Sequence, residues 1–168
     1  MTDSIGSNFR LLSGWQSLTT SDADALRSFW QAEGAFNDSK AIDERLPQVV
    51  CFARDGDQIA GVCTAMAMTP PAFGQPVFYF RVFTGRAWRT TRLVGLLWMR
   101  ARDILESYAR EHDFPCIGIL VELENPGFIK KGRRPIWSGL DLTYIGKSPR
   151  GLETRVYYFK GARMKALA

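Results

Sequence analysis

Apolar and polar positions along this chain switch between a helical and a strand period, and the switches mark its elements. Phe9 to Ser13 reads as a short strand. Ser21 then opens a helix, with Asp24 three residues on as a capping-box variant and Asp22 near the positive end of the helix dipole. Leu26, Phe29, Trp30 and Glu33 fall on one stripe with one polar exception, and Gly34 stops it. A second short helix is expected over Ser39 to Leu46, ended by Pro47.

The strand period follows. Gln48 to Arg54 and Gln58 to Thr69 flank Asp55-Gly56-Asp57, a hairpin signal in which Gly56 takes the positive φ that the turn requires. Val77 to Thr84, dense in aromatic and β-branched residues, reads as a central strand. Thr90 to Glu111 is the longest helix, with Leu93, Leu97, Ala101, Ile104 and Tyr108 as its buried stripe. Glu106 and Arg110 form an i,i+4 pair on its outer face. Cys116 to Leu123 is a buried strand, and residues 125–139 form a basic segment broken by Gly and Pro. Leu140 to Ile145 and Glu153 to Lys160 close the chain as a hairpin. The crossover from Val77–Thr84 through the long helix to Cys116–Leu123 makes that pair parallel. The expected fold is α/β: a mixed, mostly antiparallel twisted sheet flanked by helices.

Composition narrows this picture. The 168 residues fit one domain, 1–168. With 46% apolar and 23% charged residues, the chain is globular rather than disordered. The net charge of +5 favours an anionic partner without choosing between a phosphate-bearing cofactor, nucleic acid and a membrane. The longest mostly apolar stretch, Ile59 to Met68, is well short of the roughly 20 residues a membrane helix needs. The first residues, Met1 to Gly6, lack the basic start and apolar core of a signal peptide. A reduced, cytoplasmic setting away from membranes is therefore expected. Three cysteines without CxxC spacing and a single histidine argue against a metal site, a disulfide framework and a triad based on His112. Cys51, Cys63 and Cys116 sit in apolar runs as small core residues. His112, just past the long helix's last turn, complements the dipole.

Chemistry concentrates in one stretch. A strand ends at Thr84, a loop carries Arg86, Arg89 and Arg92, and a long helix begins. The first N–H groups of a helix lack internal partners and attract anions, and arginines around them strengthen that attraction for phosphate groups. The plain alternative is a helix start with solvated arginines.

The order of elements and this loop together resemble the GNAT superfamily of acyl-CoA-dependent N-acyltransferases, from about Phe9 to the end of the chain. In that family the loop after the fourth strand reads Arg/Gln-x-x-Gly-x-Gly/Ala, and its amides hold the coenzyme A pyrophosphate. The matching residues are Arg89-Thr90-Thr91-Arg92-Leu93-Val94, preceded by Trp88. Arg92 and Val94 stand where the family has small residues. The resemblance also implies that the main chain near Phe83 and Thr84 pairs with the pantetheine arm and that Asn125 faces the coenzyme. Asn125 has an alternative reading as part of a plain Asn-Pro-Gly turn.

The resemblance implies an acyl-CoA, acetyl-CoA in the first instance, as donor. It also implies a carboxylate base, for which Glu122 and Glu124 are the candidates, alternating on the fifth strand and sharing a face. The alternative for each is an ion-paired carboxylate at a strand end. Arg81 within the fourth strand would need a carboxylate partner, with Glu122 the candidate. The family's tyrosine acid has no counterpart between Pro126 and Gly139, where Arg133 or Arg134 falls near its place. Tyr144, Tyr157 and Tyr158 read as packing residues. Lys130, Lys131, Arg133 and Arg134 form a basic run that suits the coenzyme's 3′-phosphate, an acidic substrate or nucleic acid phosphates, with a solvated loop as the plain alternative; the run tilts the expected acceptor toward an anionic amine-bearing one, either a small molecule or linked to nucleic acid. Two other classes stay open: a GNAT-like binding protein that catalyses nothing, and a nucleic-acid binder using these basic residues with Arg86, Arg89 and Arg92 as a phosphate track. Exposed edges at the last hairpin leave room for a homodimer.

Overall fold

A computed structural model describes residues 9–89, 92–125, 127 and 134–165. Its strands are β1 (Arg10–Ser13), β2 (Val49–Asp55), β3 (Gln58–Met68), β4 (Val77–Thr84), β5 (Gly118–Glu122), β6 (Ile136–Trp137), β7 (Leu142–Lys147) and β8 (Glu153–Tyr158). The helices are α1 (Thr20–Glu33), α2 (Ser39–Arg45) and α3 (Leu93–Glu111). The strands form one mixed sheet in the order β1-β2-β3-β4-β5-β8-β7-β6, with β4 and β5 parallel. The expected α/β architecture is the one observed. Among the described residues no helix is long and apolar enough to cross a membrane.

The chain divides into two compact units, Met1–Thr64 with Val82–Ala101, and Ala65–Arg81 with Arg102–Ala168. In the first, α1 and α2 close a core of Leu26, Trp30, Ile42, Leu46, Val49, Phe52, Ile59 and Val62. Each such side chain contributes roughly 1.5–3 kcal/mol by leaving water. Thr19 caps α1: its Oγ1 accepts from Asp22 N at 3.1 Å and donates to Asp22 Oδ2 at 2.8 Å. The capping box expected at Ser21 and Asp24 therefore sits two residues earlier, because Thr19-x-x-Asp22 meets the same geometric need first. Gly34 ends α1 in the left-handed region, at φ 65°. Asp38 caps α2, which gives way at Leu46 to a 3-10 turn through Pro47 and Gln48. Gly56 turns the β2–β3 hairpin at φ 58°.

Cys51 and Cys63 lie opposite each other on β2 and β3, fully buried, their sulfurs 3.1 Å apart. Burial pushes the Cys63 thiol well up. All three cysteines are buried and unbridged, as core residues should be.

In the second unit, Val77, Tyr79, Ile117, Leu120 and Val156 form the core. β5 is shorter than the expected Cys116–Leu123, but its flanks continue the hydrogen bonding: Ile117 N donates to Pro76 O at 3.0 Å and Leu123 N to Glu153 O at 2.9 Å. β6 lies within the stretch expected to be irregular, pairing with β7 through Ile136↔Thr143 and Trp137↔Leu142.

The buried row of α3 is Leu93, Leu97, Ala101, Leu105 and Ala109, with Trp98 beside it. Ile104 and Tyr108, expected in the stripe, are only half-buried. The burial follows i,i+4 steps, a row inclined to the helix axis, rather than a stripe along it. The expected Glu106–Arg110 pair is replaced. Glu106 accepts from Tyr157 Oη at 2.8 Å and from Lys160 N at 2.7 Å, while Arg110 donates to Ser107 Oγ at 3.5 Å. A half-buried carboxylate with two donors facing it has no need of a solvated arginine.

Candidate functional site

The loop after β4 belongs to the first unit and is fixed by three anchors. Gly85 N donates to Ala60 O at 2.9 Å, holding the end of β4. Arg86–Trp88 then make a single 3-10 turn, closed by Trp88 N donating to Gly85 O at 2.9 Å. Glu33, the polar exception on the α1 stripe, accepts from Arg86 N at 3.1 Å. Trp88 Nε1 donates to Asp55 Oδ2 at 2.9 Å. Only glycine fits at 85: a Cβ there would lie 2.9 Å from the Trp88 ring and 3.0 Å from Glu33 Oε1. Glu33 and Asp55 act here through main-chain and indole N–H groups distant in sequence, and no local signal announced either.

Past these anchors the chain presents charge. Arg89 and Arg92 are exposed. Thr90 and Thr91 lie outside the described residues, as do Lys130, Lys131 and Arg133. Leu93 begins α3 with a fully buried side chain, so it offers the site only its main chain. Leu96 N donates to Arg92 O at 3.3 Å. Leu93, Val94 and Gly95 make up the first turn of α3 ahead of that bond. A Cβ added at Gly95 would meet nothing within 4 Å, so the space beside this first turn is open, a feature no sequence signal announces. Val94 is half-buried. Phe83 packs against Phe29 with ring centroids 5.8 Å apart, which leaves its main chain as the part able to serve a ligand. The Thr84 methyl would touch a Cβ at Gly61, at 3.1 Å, so that side chain too is turned to packing.

The second unit holds the carboxylates. The β4–β5 ladder there runs through Phe78↔Ile119, Tyr79↔Leu120 and Phe80↔Val121. Glu122 and Glu124 do share a face, and Arg150 from the β7–β8 turn joins them. Arg150 Nη1 lies 3.1 Å from Glu122 Oε2 and 3.1 Å from Glu124 Oε1, which also accepts from Nη2 at 3.1 Å. The Glu122 side chain is 13% exposed, that of Glu124 62% and that of Arg150 55%. The hydrogen bond that Arg150 donates to Glu124 raises its pKa, with the two carboxylate charges adding to it.

The expected Arg81–Glu122 pair does not form. Arg81 is exposed and its guanidinium lies 4.8 Å from the centroid of the Tyr79 ring, so it needs no buried counter-ion. Arg150 sits in Ser148-Pro149-Arg150-Gly151, an ordinary turn sequence, and only the pairing of β8 with β5 brings it to Glu122. Asn125 Oδ1 accepts from Gly127 N at 2.8 Å, the Asn turn anticipated as its alternative, and its amide NH₂ group is left for another acceptor.

His112 and Tyr157 are tied into the fold, whereas Tyr144 and Tyr158, expected to pack, are turned to solvent. His112 Nδ1 lies 3.0 Å from Tyr108 O, with its ring stacked on Tyr108. Tyr157 is committed to Glu106, and burial is the main cause that pushes its hydroxyl up to about 12. Tyr144 and Tyr158 are exposed. Arg134 uses its main-chain oxygen, which accepts from Arg155 Nη2 at 3.1 Å.

No known family profile and no curated protein matches the sequence. Solved structures do match. An acetyltransferase of the GNAT family from Streptococcus pneumoniae aligns with a TM-score of 0.60 and 10% identity over 90% of this chain and 99% of that one. An N-acetyltransferase from Staphylococcus aureus Mu50 gives 0.58 and 14% over 90% and 99%. AtaTR bound with acetyl-CoA gives 0.62 and 15% over 92% and 95%. This chain has the fold of the GNAT acetyltransferases.

Proposed function

We propose that the chain is an N-acyltransferase that uses an acyl-CoA, acetyl-CoA in the first instance, to acylate an amine. One observation carries the reading: on this fold, two exposed arginines, Arg89 and Arg92, stand directly before the start of α3, and the space beside Gly95 in its first turn is open. Amides and arginines together suit a pyrophosphate. The departures at Arg92 and Val94 do not remove the amides, since Leu93 buries its side chain and Gly95 leaves the adjoining space open.

In this reading Arg89 and Arg92, with the main chain of Leu93 and Val94, hold the pyrophosphate. The main chain of Phe83 and Thr84 pairs with the pantetheine arm, and the free amide NH₂ of Asn125 donates to the coenzyme. When bound, an acyl-CoA supplies a thioester carbonyl that an uncharged amine attacks; the C–N bond forms as the C–S bond breaks, one ammonium proton having passed to a base and a second ending on the released thiol. Glu122 is the base. It is the more enclosed of the two carboxylates, and Glu124 keeps a separate bond to Arg150.

The test is calorimetric titration of acetyl-CoA into the chain and its Arg89→Ala and Arg92→Ala variants. Binding in the micromolar range that weakens roughly tenfold or more in each variant supports the reading. No binding at millimolar coenzyme overturns it. Nucleic-acid binding that falls steeply with salt would then favour the phosphate-track alternative.

A further inference from the structure

The cluster at the end of β5 contains more charge than a base requires. Glu122 and Glu124 are negative, Arg150 and Arg81 positive, and all four belong to one unit. Tyr79, 7% exposed, has its ring beneath Arg81, and the β4–β5 register, with Phe80 opposite Val121, puts Arg81 and Glu122 one residue further along neighbouring strands. Arg150 bridges both carboxylates, and Arg81 has no carboxylate partner among the described residues.

This arrangement constrains any amine that reaches Glu122. The base is occupied by Nη1 of Arg150, so an incoming ammonium must displace that contact. An amine with no negative group would leave Arg150 with half its partners and give Arg81 nothing. An amine with a carboxylate one carbon away restores what it removes: its ammonium pairs with Glu122 and its carboxylate with the freed face of Arg150, or with Arg81. The four charges of the cluster balance, two against two, so the cluster carries no net charge to draw in a polycation or a polyanion. It suits a ligand that is itself balanced and dipolar. Guanidinium groups are also the side chains best matched to a carboxylate in the plane of two N–H donors.

We propose that the acceptor is a zwitterionic α-amino acid, held by Glu122 through its ammonium and by Arg150 and Arg81 through its carboxylate. The assignment rests on the acyltransferase reading only for what happens to the ligand afterwards. Arg150 and Arg81 are specificity-determining residues; Glu122 is shared with the chemistry.

The experiment separates the two claims. Saturation-transfer NMR and calorimetry are run on the full chain, with and without coenzyme A. The probes are the common α-amino acids, their carboxamides, which lack the negative charge, and their N-acetyl forms, which lack the positive one. At least one free amino acid is expected to bind about tenfold more tightly than both its analogues. Arg150→Ala is expected to erase the advantage over the carboxamide, and Arg150→Lys to keep part of it. Arg81→Met, at an exposed position, gives a second variant that leaves the Glu122 contact intact, and circular dichroism checks the fold of each.

Equal binding of acid and carboxamide, or no saturation by any α-amino acid below about 10 mM, would overturn the proposal. Amino-acid binding without acetyl-CoA binding would retain this inference and remove the acyltransferase reading. The reverse result would do the opposite.

Discussion

The indole N–H of Trp88 donates to Asp55 at 2.9 Å and so ties the loop after β4 to the turn of the β2–β3 hairpin. If that loop holds a pyrophosphate, its rigidity matters as much as its charge. Trp88→Phe removes the donor, keeps most of the ring and leaves the half-buried Asp55 without this partner. The expected cost is about 1 kcal/mol, or a Tm lower by roughly 2–4 °C, with acetyl-CoA bound several-fold more weakly. Asp55→Asn retains an acceptor and should stay near the parent in both. Calorimetry and thermal melts check this, and a Trp88→Phe variant unchanged in both would remove the anchoring role.

Arg155 is 2% exposed. Its guanidinium binds Glu153 and the main-chain oxygens of Arg134 and Pro135, and lies 3.8 Å from the centroid of the Trp137 ring. It thereby fastens the segment before β6 to the sheet. Arg155→Met is expected to destabilise the chain by about 2–3 kcal/mol, because half-buried Glu153 loses its counter-ion and the Arg134 and Pro135 oxygens lose their donor. Adding Glu153→Gln should recover part of that loss. Urea midpoints measure both, and a single variant within about 1 kcal/mol of the parent would contradict this account.

Alkaline stability should report on Tyr157. Its pKa rises from 10 to about 12, through burial first and then the hydrogen bond to Glu106. The fold thus favours the protonated phenol. That contribution is complete below pH 10 and is lost as pH climbs from 10 through 12. Thermal melts between pH 9 and 11 should show a steeper decline for the parent than for Tyr157→Phe. Parallel declines would mean that the phenol is not coupled to folding.

Two glycines make a matched comparison. A Cβ at Gly118 would run into the main-chain oxygen of Tyr157, with Tyr158 Cα 3.1 Å away, and paired strands cannot yield there. At Gly61 the same Cβ would meet only the side-chain ends of Leu93, Leu97 and Thr84, each at 3.1 Å. Gly61→Ala should cost about 1–3 kcal/mol, whereas Gly118→Ala should cost more or prevent folding. Equal midpoints in urea would refute the distinction.

The thiols should be silent until the chain unfolds. Cys51, Cys63 and Cys116 are buried, and burial pushes Cys116 up to about 12. At pH 8 a chromogenic disulfide reagent should release almost no signal from the native chain and the equivalent of three thiols in urea. Rapid reaction of the native protein would show that these thiols are reached without unfolding.

What the sequence determined by itself is what depends on neighbours along the chain. The bounds of β4, the positive φ of Gly56 and the stop at Gly34 follow from local sterics, and all three were legible. The arginines before α3 were legible because a helix start exposes its amides whatever surrounds it. Tertiary structure decided the partners. The capping box slid to Thr19, the buried row of α3 turned toward Leu105 and Ala109, and Glu106 left Arg110 for Tyr157. Glu122 and Glu124 could be read as one face of a strand, but not the guanidinium that clasps them. Arg150 lies 28 residues from Glu122, and β8 must first pair with β5 before the two charges can meet. Strand period fixes the face a side chain takes; the order of strands in the sheet decides which charge stands opposite, and that order is set by packing at long range.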